Sequence, residues 1–278
     1  MLTGILQPSG GSMRVLGLDP SRQRKELAWS IGSVFGQRSQ LWFHLPPSDS
    51  FKLLGAIYEI DPKTLAARTG ELSERFGIKE FFDVPVRKLS LGQRIRCEIA
   101  ASLLHTPRIL FLDEPTIGLD VVARREIRSL LAELNKERQV TVFITSHDMG
   151  DIEKICKRAI IIHHGEVVVD ESMKTLKHRA MAKKYVGVRY EQAVSFSGLG
   201  TAADGLSPVK HTETSARFEV DTRKHQLRDV IKALSNLGDL EDITIEDEAL
   251  ENIIADLYAS RNKTGAQALN KARAGGGA

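Results

Sequence analysis

Hydrophobic positions along this chain occur partly in short unbroken runs and partly at helical spacing. Runs at residues 13–18 ("MRVLGL"), 31–36 ("IGSVFG"), 108–115 ("RILFLDEP") and 140–146 ("VTVFITS") predict strands. The run in "RILFLDEP" is unbroken, which predicts a strand that is buried on both faces. Segments with helical spacing lie between these runs. Strands that alternate with helices predict a mainly parallel sheet with helices on both faces, an α/β fold.

Helical spacing is clearest in two segments. Residues 45–87 are helical in pattern and are interrupted at Pro46-Pro47 and Pro62. Ser90 precedes the segment "LGQRIRCEIAASLLH", and Gln93 stands where a capping box requires it. A further helix after "RILFLDEP" has four inward positions: Ile127, Leu130, Leu131 and Leu134. The segment "AIIIHHGEVVVD" predicts a hairpin that turns at His164-Gly165.

The C-terminal third has a different composition and predicts a separate small α+β domain at 185–259, after a first domain at 1–180 with a helical subdomain at about 46–105. A loop, "GLGTAADGLSP", precedes strand "ARFEV", a helix, strand "DITIE" and a last helix, in β-α-β-α order. Residues 260–278 are polar and rich in Gly and Ala, which predicts a disordered tail. The four basic residues of that tail are either solvated or in contact with anionic lipid.

Composition restricts the class of protein. The 278 residues, of which 42% are hydrophobic, suffice for one large α/β domain and a small second one. The chain has 39 Lys and Arg residues and 36 Asp and Glu residues, a formal net charge of +3. Residues of both signs are dispersed along the chain, which argues against an electrostatic nucleic-acid binder. We find no apolar run long enough to cross a bilayer and no signal-peptide pattern. Cys97 and Cys156 lack metal-ligand spacing and are interpreted as small buried hydrophobes in a reducing cytosol.

Two adjacent acids form the first candidate site. Asp113 ends the strand in "ILFLDEPTIGLD", and Glu114 follows it. Adjacent residues on a strand point in different directions, so one acid can hold a hydrated Mg²⁺ while the other reaches a water molecule. The two acids could equally cap the next helix.

Three further features lie near the same predicted sheet edge. "LSLGQR" places Ser90 and Gly92 at a helix N-terminus, which is either an anion site open to a phosphate or simply a capped helix. His147 directly follows "VTVFITS", and Gln37 follows "IGSVFG". A lone histidine at a strand end is often structural. All of these elements converge on the carboxyl ends of parallel strands, where such sheets bind ligands.

These motifs together resemble a known family. In order, Gln37, "LSLGQR", "ILFLDEP", "GLD" and "ITSHD" are similar to the Q-loop, signature, Walker B, D-loop and switch histidine of ATP-binding-cassette (ABC) ATPases, over residues 1 to 175. "FGQRSQLW" and the C-terminal unit resemble ATPase subunits of exporters for drugs, polysaccharides or sodium. Leu91 departs from the common signature LSGGQ. The resemblance implies a P-loop NTPase core with a helical subdomain, and ATP and Mg²⁺ as ligands.

The resemblance also implies roles within one subunit. Asp113 would hold Mg²⁺ through water, and Glu114 would polarise the attacking water. His147 would contact the γ-phosphate. Gln37 would sense the metal ion and the water, and would couple them to a polytopic membrane subunit. The chain would then be cytoplasmic and peripheral, held at the inner face of the cell membrane by that subunit.

Other implied roles require a second ATP-binding subunit, identical or different. In the family, two such domains dimerise head to tail with two ATP molecules between them. Ser90, Gly92 and Gln93 would bind the γ-phosphate that the other subunit holds, and Asp120 would lie at the dimer interface. Hydrolysis is phosphoryl transfer to water, in which positioning and charge neutralisation supply the catalysis.

One family motif has no counterpart in this sequence. The phosphate-binding loop G-x-x-x-x-G-K-[ST] does not occur in the 278 residues. By the family pattern, Met1 falls within the helix that follows this loop, so we expect an incomplete copy through a misassigned start or a truncated gene. Such a chain would not bind ATP in the usual way. It would also lack a central strand beside "RILFLDEP", and each unpaired buried group there would cost roughly 1–3 kcal/mol.

Two hypotheses about function follow. The first is the ATP-binding subunit of an ABC exporter. The second is a catalytically inactive interaction protein that lends its "LSLGQ" helix to a partner's ATP site. DNA-repair and translation ATPases with the same core usually carry coiled-coil insertions or tandem cores, and we find neither in this sequence.

Overall fold

The computed structural model describes residues 1–36, 39–180, 182–196, 207–250 and 252–255. It forms two compact units, Met1–Ile155 and Cys156–Ala278. The sequence had predicted a boundary between residues 180 and 185, later than this division. The predicted hairpin lies in the second unit. The helix that follows the hairpin packs against the second strand of the hairpin and against the next strand along the chain. Gln37, Leu257 of the predicted last helix and the tail at 260–278 lie outside the described residues.

A parallel sheet organises the first unit. Its strands are β1 (Ile31–Phe35), β2 (Ile109–Asp113) and β3 (Thr141–Thr145), in the order β1-β2-β3. Helices surround them in this unit: α1 (Arg24–Ala28), α2 (Pro47–Ile57), α3 (Pro62–Arg75), α4 (Leu91–Ser102), α5 (Val121–Arg138) and α6 (Met149–Ile155). Two short 3₁₀ turns, Lys79–Phe81 and Val86–Lys88, connect α3 to α4. The predicted alternation of strands and helices is confirmed.

The position of β2 corrects one expectation. β2 is central and is hydrogen-bonded on both sides, to β1 and to β3, so the predicted gap beside "RILFLDEP" is wrong. Within the described residues, the unpaired edges of this sheet are the outer edges of β1 and β3. β2 is also not buried on both faces. Leu110 and Leu112 are buried, whereas Ile109 and Phe111 on the other face are only half-buried.

The core explains this difference between the two faces. A large cluster that includes Leu110, Leu112, Ile99 of α4 and Leu131 of α5 covers one face of the sheet. The other face carries a small cluster built from Val15, Leu27 and Ile31. Cys97 lies in the large cluster, and burial raises the pKa of its thiol to about 12. Its interpretation as a small buried hydrophobe is therefore confirmed.

Residues 13–18, predicted as a strand, form a turn instead. Leu16 (φ +53°) and Gly17 (φ +84°) have left-handed backbones, and Val15 and Leu18 pair with each other across them. A left-handed pair of residues reverses the chain, so the apolar run folds back on itself.

The second unit contains a hairpin and a larger antiparallel sheet. β4 (Arg158–His163) and β5 (Glu166–Ser172) turn at His164-Gly165 as predicted, with φ of +48° and +81°. The helices are α7 (Met173–Ala180) and α8 (Leu227–Ser235). The sheet has the order β7-β8-β6-β9 and is built from β6 (Lys183–Tyr190), β7 (Ser207–His211), β8 (Ser215–Asp221) and β9 (Leu240–Asp247).

The predicted β-α-β-α order omitted β6 and β7. In β6, "KKYVGVRY", charged residues and Gly187 alternate with apolar ones, and only Val186, Val188 and Tyr190 pack into the core with Phe218. The backbone is helical at residue 250 and at 252–255, where the last helix was predicted. No helix among the described residues has the length and hydrophobicity that a membrane-spanning segment needs.

Candidate functional site

The carboxyl edge of the parallel sheet brings the two adjacent acids together with the histidine segment. In the sheet register, Asp113 lies beside Thr145. The Gly36 N–H donates to the Asp113 carbonyl (2.8 Å), and the Glu114 N–H donates to the Thr145 carbonyl (3.1 Å). These bonds extend the pairing one residue beyond the strands. Asp113, Glu114 and the segment leading to His147 therefore share one edge, as the sequence predicted.

Asp113 is exposed and is oriented by its neighbour. The Thr145 hydroxyl donates to Asp113 Oδ1 at 2.5 Å. A carboxylate beside a hydroxyl is an oxygen-only donor set, which suits Mg²⁺ because this ion binds proteins through one or two carboxylates and retains water. Within the described residues, no three His, Cys, Asp or Glu side chains form a metal-binding group. Asp113 would thus contribute carboxylate oxygen to a Mg²⁺ ion that also needs ligands from elsewhere.

Glu114 lies close to His147. Its backbone is left-handed (φ +50°), and its Oε1 lies 3.0 Å from His147 Nδ1. The hydrogen bond and the negative charge of Glu114 raise the pKa of His147. The histidine side chain is 71% exposed and that of Glu114 is 28% exposed, so the pair is accessible to water and to a ligand.

Two arginines of α5 hold the segment that carries His147. Arg124 NH1 donates to Asp148 Oδ2 at 2.8 Å. Arg128 Nε donates to Asp151 Oδ1, and its second terminal nitrogen makes an ion pair with the same oxygen. Asp151 is fully buried. Since Asp148 directly follows His147, these ion pairs fix the histidine segment against α5.

The same buried carboxylate also reaches the loop that follows Glu114. The hydroxyl of Thr116 donates to Asp151 Oδ2, and that of Ser146 lies 3.4 Å from the same oxygen. Asp151 therefore joins α5, the histidine segment and the Glu114 loop. A buried carboxylate needs such donors, because an unpaired buried charge is costly.

The N-terminus of α4 has the predicted capping box. The Gln93 N–H donates to Ser90 Oγ at 3.2 Å, and the Ser90 N–H donates to Gln93 Oε1 at 2.9 Å. Ser90 is exposed and Gln93 is half-buried. The helix is 12 residues long, so its exposed N-terminus carries the positive end of a helix dipole.

Gly92 is buried in this single chain, and its predicted contact with a phosphate stays a prediction. A Cβ atom on Gly92 would lie 3.1 Å from Ala123 Cβ, so the glycine permits close packing of α4 against α5. Leu91, the departure from the common signature, is half-buried and lies over Gly118, whose added Cβ would meet Leu91 Cδ2 at 3.2 Å. Both residues connect α4 to the segment around Asp120.

Asp120 caps α5. Its Oδ1 accepts the N–H groups of Val122 and Ala123, each at 2.9 Å. The sequence left open whether Asp113 and Glu114 cap this helix, and the structure assigns that contact to Asp120. The two acids at the sheet edge are thus not used as caps of α5.

Gln37 lies outside the described residues, so its position relative to the other site residues stays a prediction. Sequence reasoning missed Thr145, Asp151 and the arginines of α5. The sequence does contain a signal for these contacts. Arg124 and Arg128 are four residues apart, and Asp148 and Asp151 are three residues apart. Residues at these spacings lie on the same side of a helix, so the two pairs can face each other.

Comparison with known proteins identifies related sequences. The sequence profile of the family described as "ABC transporter" matches residues 1–117. The ABC transporter ATP-binding protein NatA of Bacillus subtilis is 32% identical over 176 residues, 63% of this chain and 71% of NatA. The fluoroquinolones export ATP-binding protein Rv2688c of Mycobacterium tuberculosis is 28% identical over 243 residues, 86% of this chain and 76% of that protein.

A solved structure is similar as well. It is the dimeric ATP-binding cassette MJ0796 in a post-hydrolysis state, bound to ADP and Pi. The sequence identity is 27% and the TM-score is 0.54, and the match covers 62% of this chain and 77% of that chain. The folds of the two proteins therefore correspond over most of the cassette.

Proposed function

Because this chain belongs to the ABC transporter ATP-binding family, in its exporter branch, we propose that its sheet edge acts in ATP hydrolysis that drives a separate membrane subunit. The observation that carries the proposal is the Glu114–His147 contact of 3.0 Å beside Asp113. A base, a protonatable group and a metal-binding carboxylate on one edge are what phosphoryl transfer to water requires.

Glu114 and His147 have complementary roles in this proposal. The Glu114 carboxylate accepts a hydrogen bond from the attacking water and orients its lone pair toward the γ-phosphate. His147, whose pKa is raised by Glu114, donates a hydrogen bond to a γ-phosphate oxygen. The Asp151 ion pairs hold both groups in place, so little reorganisation is needed when substrate arrives.

Asp113 would hold Mg²⁺, together with Gln37. The ion would supply charge neutralisation for the phosphate oxygens. The hydrogen bond from Thr145 fixes the orientation of the Asp113 carboxylate toward the sheet edge. In this proposal Asp113 positions the ion and leaves its remaining coordination sites to water and ATP.

The 278 residues contain no G-x-x-x-x-G-K-[ST] motif, the loop that the family pattern uses to cradle the triphosphate. Such a loop supplies backbone N–H groups and a lysine, which neutralise the β- and γ-phosphates.

A second ATP-binding subunit completes the site in our proposal. Ser90, Gly92 and Gln93 lie in the first turn of α4, where Ser90 is exposed, and the positive end of this helix suits the γ-phosphate of a nucleotide held by the other subunit. Asp120 lies at that interface, next to Val121 and Val122. Support comes from exposure, because these valines are 83% and 67% exposed in the single chain.

A membrane transport subunit is the second proposed partner. The helical part of the first unit has a cavity of about 580 Å³ between α2 and α3, with an apolar wall that includes Phe51, Leu65 and Phe82. An apolar groove of this kind suits a short amphipathic helix of the partner. The chain would then be cytoplasmic and peripheral at the inner face of the membrane. Which molecule is transported depends on that subunit.

Photolabelling with azido-ATP and Mg²⁺ tests the nucleotide site in the full chain. Labelling of the wild type would support nucleotide binding by this chain despite the absence of the motif, and Asp113→Asn should then lose the label because the metal-binding carboxylate is removed. Glu114→Gln is expected to retain label while hydrolysis falls by roughly 10²–10⁴-fold, the usual contribution of a general base. Glu133→Gln, on the outward side of α5, is the matched control and should behave as wild type.

Two outcomes would contradict the proposal. Unlabelled wild-type protein would favour the interaction protein that lends its Ser90 helix to a partner. Labelling with unchanged hydrolysis in Glu114→Gln would remove Glu114 from its role as the base.

A further inference from the structure

The second unit carries a cavity that is separate from the nucleotide-related site. The cavity has a volume of about 400 Å³ and lies on the face of the β7-β8-β6-β9 sheet opposite the packed core. Its wall comprises residues of all four strands, including Lys210, Arg217, Gly187 and Thr244. These four are aligned across the sheet, one from each strand, in a single row. A volume of this size suits a small molecule.

Two cations are directly opposite each other in this row. Lys210 of β7 pairs in register with Arg217 of β8, so their side chains leave the same face of the sheet. Like charges in this position are destabilising. Lys210 is exposed and has no ion-pair partner among the described residues. Arg189 lies on the same face two residues beyond Gly187, which adds a third positive charge to the wall.

The guanidinium of Arg217 is held in place. It stacks over the Tyr185 ring with Cζ 4.6 Å from the centroid, and its NH2 lies 2.8 Å from Glu246 Oε2. One terminal nitrogen is therefore committed to Glu246, while the guanidinium has five N–H donors in total. A planar fork that is already oriented loses little entropy when it binds an anion.

Gly187 and hydroxyl groups shape the floor of the cavity. A Cβ atom on Gly187 would lie 2.5 Å from Thr244 Oγ1, so the glycine allows that hydroxyl to lie close against β6. Ser215 and Thr212, in the β7–β8 turn, also line the wall, and their hydroxyl oxygens are 2.8 Å apart. Hydroxyl groups next to cations are suitable donors for a group with several acceptor oxygens.

Acidic residues offset only part of this positive charge. Asp242 pairs in register with Arg189, and Glu241 lies 3.9 Å from Arg189 NH1, so both acids lie at the Arg189 side of the cavity. On the other side, Glu246 pairs with Arg217, while Lys210 has no ion-pair partner among the described residues. Two cations against one acid leave the Lys210–Arg217 side with a net positive charge.

We propose that this cavity is a binding site for a small phosphate-bearing molecule, whose phosphate lies between Lys210 and Arg217. A dianionic group there would relieve the repulsion between the two cations and accept charge-assisted hydrogen bonds from both. The same chemistry is available from a soluble phosphate ester and from a lipid headgroup. The site is independent of ATP hydrolysis at the sheet edge of the first unit.

Titration of the full chain with glycerol 3-phosphate, followed by amide NMR, tests the proposal. We expect shifts at Gly187, Ser215 and Thr244, and an affinity about tenfold or more lower in Lys210→Gln, because one charge-assisted hydrogen bond is lost. Lys210 is exposed, so the variant should fold normally. Arg228→Gln is the control, since it removes one positive charge from α8 at a side chain that is 83% exposed.

Sedimentation with vesicles identifies the source of the phosphate. Binding to phosphatidylglycerol vesicles but not to phosphatidylcholine vesicles, lost in Lys210→Gln, would assign a lipid headgroup. Saturable binding of glycerol 3-phosphate without vesicle binding would assign a soluble ester. Equal affinity of wild type and Lys210→Gln for both probes, or shifts confined to other residues, would overturn the proposal.

Discussion

Glu114 combines an unusual backbone conformation with a side chain that contacts His147 in the candidate site. Its left-handed backbone (φ +50°) is uncommon for a residue with a side chain, and it directs the carboxylate to His147. Such conformations persist where surrounding contacts fix them. Here the Glu114 N–H is held by both the carbonyl and the hydroxyl of Thr145.

The raised pKa of His147 predicts a pH effect. Its folded pKa lies above the usual value of 6.5 because Glu114 stabilises the protonated ring. The stabilisation from this contact is therefore fully present below pH 6.5 and is lost as the pH rises through the folded pKa. We expect an NMR titration of the His147 ring to give a midpoint above 6.5, and Glu114→Gln to lower that midpoint.

Glu133→Gln, an exposed substitution on α5, is the control and should leave the His147 midpoint unchanged. A His147 midpoint that does not change in Glu114→Gln would show that another group controls its protonation.

At the scale of elements, the site depends on how α5 contacts its neighbours. Its first residues pack against Gly92 of α4, and its arginines bind Asp148 and Asp151. One helix thus contacts both the predicted signature segment and the histidine segment. A shift of α5 would change both at once.

Removing the buried carboxylate tests this connection. Asp151→Asn removes the closer charged partner of Arg128, whose side chain is only 16% exposed, and leaves only the longer ion pair with Asp148 at 3.8 Å. We expect the free energy of unfolding to fall by about 3–5 kcal/mol, the usual cost of breaking a buried ion pair. Chemical denaturation of the full chain measures this change.

Glu137→Gln is the matched control, because Glu137 pairs with Arg75 of the same unit at 2.8 Å while its side chain is 58% exposed. An exposed pair of this kind contributes about 0–1 kcal/mol. Equal effects of the two substitutions would show that the Asp151 network does not stabilise the first unit.

The sequence was informative about elements where local rules dominate. The capping box at Ser90 and Gln93 and the hairpin turn at His164-Gly165 are set by neighbouring residues, and both are confirmed. The strand expected at 13–18 is wrong because a left-handed pair of residues interrupts its apolar run. The burial of Gly92 depends on contact with a distant helix, which local spacing does not reveal.

The whole molecule consists of two units with separate hydrophobic cores. Leu110 is fully buried in the core of the first unit, and Phe218 is fully buried in the core of the second. These buried clusters share no residues. The units can therefore lose stability independently.

Calorimetry of the full chain is expected to show this independence. Phe218→Ala should destabilise the second unit by about 3–5 kcal/mol because it empties a packed core position. We expect one thermal transition to move to lower temperature while the other stays in place, and Leu110→Ala should give the reverse pattern. Coincident movement of both transitions in either variant would show a single cooperative unit.

At this scale the sequence predicted the α/β fold and the neighbouring acids and histidine, because parallel strands bring their carboxyl ends to one edge. It did not predict strand order, since the pairing of β2 with both β1 and β3 depends on contacts between distant segments. The antiparallel sheet of the second unit was predicted only in part, because charged residues on its open face conceal the strand pattern of β6.

The outer edge of β3 has a consequence for the behaviour of the purified chain. Its backbone donors and acceptors are unpaired within the described residues, and Phe143 on this strand is 39% exposed. Such an edge is a template on which extended segments of other polypeptides can add by hydrogen bonding. We therefore expect concentrated or warmed solutions to aggregate through edge-to-edge association, with added strands masking Phe143 from solvent.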